Sequence, residues 1–240
     1  MSSKKGLNLH RNYSINFSIP KRSKNLIKFI IIHYTGMRKE SKALERLCDV
    51  KSEVSSHYFI KKNGKIYNLV PDLYTAWHAG KSNWRNLKSL NKYSIGIEIS
   101  NPGHDNKYKQ FKKKQIYSLF SLITELKKKY HLKNKNILGH SDVAPDRKKD
   151  PGEKFPWKLL SKNKLCIWHN LSKKRCKKLR KRKLENIDSF YKLLFKFGYE
   201  FTKNSSDKTK IYKNFQRRFR PELISDVVDK ECYAILKSLI

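Results

Sequence analysis

No long apolar run occurs in this chain of 240 residues; Phe29-Ile30-Ile31-Ile32, bounded by Lys28 and His33, is only four residues long. A membrane helix needs about 20 consecutive apolar residues, so no span is expected. The N-terminus is basic but has no apolar stretch behind it. A secretory signal is therefore not expected, and a cytoplasmic location is, with a periplasmic or wall-associated one as the alternative. Cysteine is scarce as well. Cys48, Cys166, Cys176 and Cys232 form no CxxC pair and no disulfide framework, so reduced thiols are expected. Acidic residues are few: 20 Asp and Glu stand against 56 Lys and Arg, a formal charge of +36. No internal repeat is found.

The chain is well supplied with aromatic residues: 12 Phe, 13 Tyr and 4 Trp, within 38% hydrophobic residues. That is enough apolar surface for a core, which argues against wholesale disorder despite the charge. The charge itself admits three readings. It suits a nucleic-acid binder. It equally suits a partner rich in carboxylates. It is also the mark of a general lysine bias spread along the whole chain, together with abundant Asn, Ile and Tyr.

Periodicity divides the chain. Residues 1–25 read as a polar, basic arm. A strand is expected at Lys28–Tyr34 and a short helix over 40–50, with Ala43, Leu44, Leu47 and Val50 at helical spacing. Runs at 57–60 and 65–70 flank Asn63-Gly64, a hairpin signal. Residues 94–100 alternate, Ile95, Ile97 and Ile99 on one face and Gly96, Glu98 and Ser100 on the other. Gln110–Tyr130 suits an amphipathic helix, residues 136–140 another strand, and 141–157 a loop. Nine of the eleven residues Lys173–Lys183 are Lys or Arg, which reads as a solvated linker or an exposed helix. Apolar residues return at 184, enough for three short helices. The expected architecture is α+β: a mixed central sheet flanked by helices, plus a small C-terminal three-helix domain. The expected segments are 1–25 (arm), 26–170 (main domain), 171–183 (basic linker) and 184–240 (helical domain).

His33 and His140 each close an expected strand, and Asp150 lies ten residues beyond His140. Two imidazoles and a carboxylate can hold a catalytic zinc with one position open. Equally, a histidine at a strand end can be an ordinary packed or exposed residue. Glu98 sits opposite the isoleucines of its strand, where a carboxylate is costly unless paired or functional; an edge strand with Glu98 in water is the other reading.

The segments IIHYTG (31–36), SHYFIKKNG (56–64), AWHAG (76–80), SIGIEISN (94–101) and GHSDVAPDRKKDPGEKFPW (139–157) together resemble the zinc-dependent N-acetylmuramoyl-L-alanine amidases, the group related to phage lysozyme-like amidases and to animal peptidoglycan-recognition proteins. The resemblance covers about residues 25–170. It implies one Zn²⁺ held by His33, His140 and Asp150, with Glu98 as the general base and Lys148, from the RKxDPG stretch, supporting the oxyanion. The implied reaction is hydrolysis of the amide between N-acetylmuramic acid, or its anhydro form, and L-alanine. The implied partner is peptidoglycan or muropeptides. His78, Trp77 and Asn101 are candidate substrate contacts; a loop histidine, a packed tryptophan and a turn residue are their ordinary alternatives. Trp84 carries the same pair of readings as Trp77. Strand alternation sends His57 and Tyr58 to opposite faces, and neither is expected to be a ligand. Residues 184–240, with FGY at 197–199 and IYKNFQRRFRP at 211–221, resemble the small three-helix peptidoglycan-binding module. Two rival functions remain: a non-catalytic wall-recognition protein on the same fold, and a nucleic-acid binder using the 173–183 run.

Overall fold

The computed structural model describes residues 7–180, 182–200 and 205–240. The first six residues of the expected arm, Lys181 of the basic run and residues 201–204 of the C-terminal segment lie outside the described residues. In chain order the elements are β1 (Leu9–Arg11), β2 (Phe17–Ser18), β3 (Phe29–Tyr34), α1 (Glu40–Cys48), β4 (Tyr58–Ile60), β5 (Ile66–Asn68), β6 (Thr75–Ala76), β7 (Asn83–Trp84), β8 (Leu87–Lys88), β9 (Ser94–Ile99), α2 (Lys113–Tyr130), β10 (Ile137–Gly139), α3 (His140–Val143), α4 (Trp157–Lys162), α5 (Lys173–Arg180), α6 (Ile187–Phe197), α7 (Ser205–Phe219) and α8 (Lys230–Lys237). Two compact units are present: residues through Gly80 with Asn91–Leu138, and Lys81–Leu90 with Gly139–Ile240. The contact boundary thus falls at 138, and the C-terminal helices share a unit with residues 139–183.

The first unit is built on a mixed six-stranded sheet, in the order β1-β5-β4-β9-β3-β10. β3 and β9 run parallel, as do β9 and β4, while β4 and β5 form the antiparallel hairpin. A central parallel strand is covered on both faces and can be apolar throughout; Ile30, Ile31 and Ile32 are accordingly inaccessible. Phe59 packs with Ala43 and Leu47 of α1 on one face. Its neighbour Tyr58 points the other way and donates to the Asp72 carboxylate at 2.6 Å. That carboxylate also accepts from Tyr130 and Lys129 of α2, at 2.6 and 2.7 Å. Burial works against the Asp72 charge, but the three hydrogen bonds outweigh it and leave the carboxyl below its ordinary pKa. α2 buries Ile116, Leu119, Leu122, Ile123 and Leu126, the i, i+3, i+4 stripe of an amphipathic helix. It starts at Lys113 rather than 110. Asn101 holds the Lys109 carbonyl at 2.8 Å and Gln115 accepts from the Lys112 amide at 2.9 Å, so the chain stays extended up to that cap.

The expected arm contributes strands. β1 pairs parallel with β5, and β2 pairs antiparallel with β6.

In the second unit the β7–β8 hairpin packs with the C-terminal helices. Trp84 is buried, its ring 5.8 Å from Phe197 and 5.1 Å from Tyr199. The Arg85 amide and guanidinium donate to the Gly198 and Phe197 carbonyls at 3.1 and 3.0 Å. Phe190, Leu194, Phe215, Phe219, Ile235 and Leu236 complete an aromatic-rich core. Trp84 therefore serves packing. The basic run forms α5, an exposed helix with only Cys176 buried. Its Arg180 pairs with the buried Glu231, which also receives Arg220.

Candidate metal centre

β3 ends in His33, and its Cα partner on the parallel strand β9 is Glu98. Paired residues of parallel strands project to the same face, so imidazole and carboxylate emerge side by side. Glu98 is the one residue of its strand that is not buried. The His33 ring is buried and held from behind: its Nε2 lies 3.0 Å from Nδ1 of His78, whose Nε2 lies 3.2 Å from the Ser94 hydroxyl. Gly96, between Ser94 and Glu98, makes room for this, because a Cβ there would stand 2.4 Å from the His78 ring. The AWHAG and SIGIEIS motifs thus meet through a missing side chain.

His57, on the same face, is buried and carries a different task. The Gly96 amide donates to its Nδ1 at 3.0 Å, and its Nε2 lies 3.0 Å from the Tyr74 carbonyl. Burial, reinforced by the Arg22 guanidinium, pushes its pKa down from 6.5 to about 3. The unfolded chain therefore binds this proton first as pH falls. The contribution of His57 to stability is complete above pH 6.5 and declines below it by up to about 1.4 kcal/mol per pH unit. Denaturant unfolding of His57→Gln should show a shallower loss of stability than wild type between about pH 6.5 and 4.5. Equal slopes would refute the assignment.

The second half of the site follows β10. His140 does not close that strand; it opens the one-turn helix α3, because the Asp142 carboxylate accepts the Gly139 amide at 2.7 Å and turns the chain there. Gly139 has no space for a side chain, a Cβ lying 2.7 Å from Pro151. The Ser141 amide donates to the Asp150 carbonyl at 2.8 Å and closes the loop. His140 Nδ1 and Asp150 Oδ2 stand 3.1 Å apart. Two donors on one tetrahedral zinc, each about 2.0 Å from it, would be about 3.3 Å apart.

His33, His140 and Asp150 each offer a ligand atom, and these atoms lie within 4.8 Å of one another. All three residues are buried. The donor set is nitrogen, nitrogen and oxygen, which suits zinc and leaves room for a fourth, exchangeable position.

The remaining candidates take up other positions. Asn101 is buried, its amide spent on the Lys109 carbonyl and the Gly103 amide, as the turn-residue reading expects. The Trp77 indole is half-buried and donates to Ser18 at 2.9 Å. Lys148 is half-buried within the loop, and its carbonyl accepts from Asn214 at 2.8 Å.

A buried His-His-Asp cluster that could hold a metal ion, with a carboxylate in register beside one of its histidines, is a donor set that suits a hydrolase. Comparison with known proteins narrows the class. Residues 23–153 match the family described as N-acetylmuramoyl-L-alanine amidase, and the chain belongs to that family. The N-acetylmuramoyl-L-alanine amidase AmiD of Escherichia coli is 34% identical over 230 residues, covering 89% of this chain and 82% of AmiD. The solved structure of E. coli AmiD in complex with the substrate anhydro-N-acetylmuramic acid-L-Ala-D-γ-Glu-L-Lys superposes with a TM-score of 0.81 at 31% identity, covering 92% of this chain and 91% of that one. AmpDh3 of Pseudomonas aeruginosa, solved with an anhydromuramic pentapeptide, gives 0.80 at 29% identity, covering 92% and 93%. Coverage of 92% takes in the C-terminal helices as well as the sheet.

Proposed function

We propose that this amidase is zinc-dependent and hydrolyses the amide joining the lactyl group of N-acetylmuramic acid, or its anhydro form, to L-alanine. The observation that carries this is the convergence of His33, His140 and Asp150, with Glu98 paired to His33 across β3 and β9. AmiD and AmpDh3, both solved with anhydromuramyl peptides, support the choice of substrate.

His33, His140 and Asp150 would hold the zinc ion, which when bound would supply Lewis acidity and bring the pKa of water there down to about 7. The protein's own groups do the rest. His33, with Nε2 committed to His78, offers Nδ1 to the metal, and the Ser94–His78–His33 chain fixes that tautomer. Glu98 accepts the proton of the attacking water and returns it to the leaving amine of L-alanine. Lys148 places positive charge near the developing oxyanion. The basic surface attracts the free carboxylates of peptide stems. Wall contact by the C-terminal helices would add affinity for polymeric substrate over soluble fragments. Among the described residues no helix is long and apolar enough to cross a membrane.

The test is product analysis after incubation with sacculi and, separately, with anhydromuropeptides. Peptides bearing a free L-Ala amino terminus should appear, with the glycan intact, and a chelator should abolish them. Bound zinc without amide cleavage would identify a recognition protein instead.

A further inference from the structure

We propose that helix α7 positions the loop carrying two of the metal ligands, acting through Arg218 and Asn214; this rests on the reading of His140 and Asp150 as ligands. The loop needs such support. Its only regular element is α3, four residues long, and a single helical turn is not stable alone. Its two ligands are ten residues apart in a chain that must bring them within 3.1 Å.

Both halves of the loop are tied to α7. At the His140 end, the fully buried Asp142 carboxylate accepts from the Gly139 amide, from the Tyr199 hydroxyl at 2.5 Å and from the Arg218 guanidinium. Burial raises the Tyr199 pKa, so its hydroxyl stays a donor. Arg218 is 2% exposed. Its guanidinium lies over the Trp157 ring at 4.4 Å and over Phe219 at 4.9 Å, and Trp157 begins α4, the element that follows the loop. At the Asp150 end, Asn214 donates through Nδ2 to the carbonyls of Pro145 and Lys148, both at 2.8 Å. Asn214 precedes Arg218 by four residues, so the two share one helix face.

A buried ion pair is a costly way to gain stability, since its desolvation offsets most of the attraction. It does fix geometry: Asp142 can turn the chain at Gly139 in only one orientation while Arg218 and Tyr199 hold its two oxygens. Arg220, two residues on, is the internal comparison. It is equally buried and lies directly after the last residue of α7, but it serves Asp229 and Glu231 and, among the described residues, has no hydrogen bond or ion pair with the loop.

The test uses the full chain with Arg218→Met, Asn214→Leu and Arg220→Met. Co²⁺ affinity is read by chelator competition, Co²⁺ geometry by its visible absorption, and loop order by hydrogen exchange of amides 139–150 in metal-free protein. Arg218→Met and Asn214→Leu should each weaken Co²⁺ binding about 10–100-fold, the usual effect of losing an outer-shell partner. They should also alter the visible band and speed loop exchange. Arg220→Met should lower thermal stability yet keep wild-type affinity, spectrum and loop exchange. Wild-type Co²⁺ binding in both Arg218→Met and Asn214→Leu overturns the proposal, as does an equal loss in Arg220→Met. If Arg218→Met does not fold, Asn214→Leu decides alone. If wild type binds no Co²⁺, the metal reading falls, and the exchange arm still decides whether α7 orders the loop.

Discussion

Replacing Glu98 with alanine is expected to leave zinc bound at wild-type occupancy while turnover falls about 10²–10⁴-fold, the range a general base contributes. The reasoning is positional. Glu98 is the register partner of His33 but not a member of the ligand cluster. It is the one residue of its strand that is only partly buried. Metal content by mass spectrometry, set beside kcat for release of the peptide, separates the two effects. Loss of metal would make Glu98 a ligand or a structural support; unchanged kcat would place the base elsewhere.

His33→Ala is expected to have the larger effect, with metal and activity lost together. It removes one of three donors and the group on which the His78–Ser94 chain acts. No other side chain of β3 can take its place: Ile32 faces the opposite side, and Tyr34 is bound to His104 at 2.8 Å. Zinc occupancy should fall to that of chelator-treated protein, and added zinc should not restore cleavage. Full activity with zinc retained would remove His33 from the site and with it the proposed mechanism.

Much of the fold was legible because its signals are local. The isoleucine run of β3, the alternation of β9, the Asn63-Gly64 turn and the stripe of α2 each specify an element within a dozen residues. The convergence of His33, His140 and Asp150 was legible only through ordered motifs, because His33 and His140 are more than a hundred residues apart and spacing alone cannot bring them together. Other features carried no local signal. Arg218 is one of 56 basic residues, and nothing in its neighbourhood marks it as buried. The role of His78 depends on the absent side chain at Gly96, a relation between two motifs rather than a property of either. β1 and β2 are too short and too polar to stand out from an arm. The start of α3 at His140 follows from a side-chain cap by Asp142, which in sequence reads as one more loop aspartate.

The mid-chain hairpin at 81–90 has a consequence for biosynthesis. Its Trp84 beds against Phe197, Gly198 and Tyr199, which leave the ribosome more than a hundred residues later. A nascent chain halted before residue 190 therefore carries an uncovered indole, a sticky surface that chaperones recognise. The order of translation and the order of folding cannot coincide for this segment: completion waits for the end of α6.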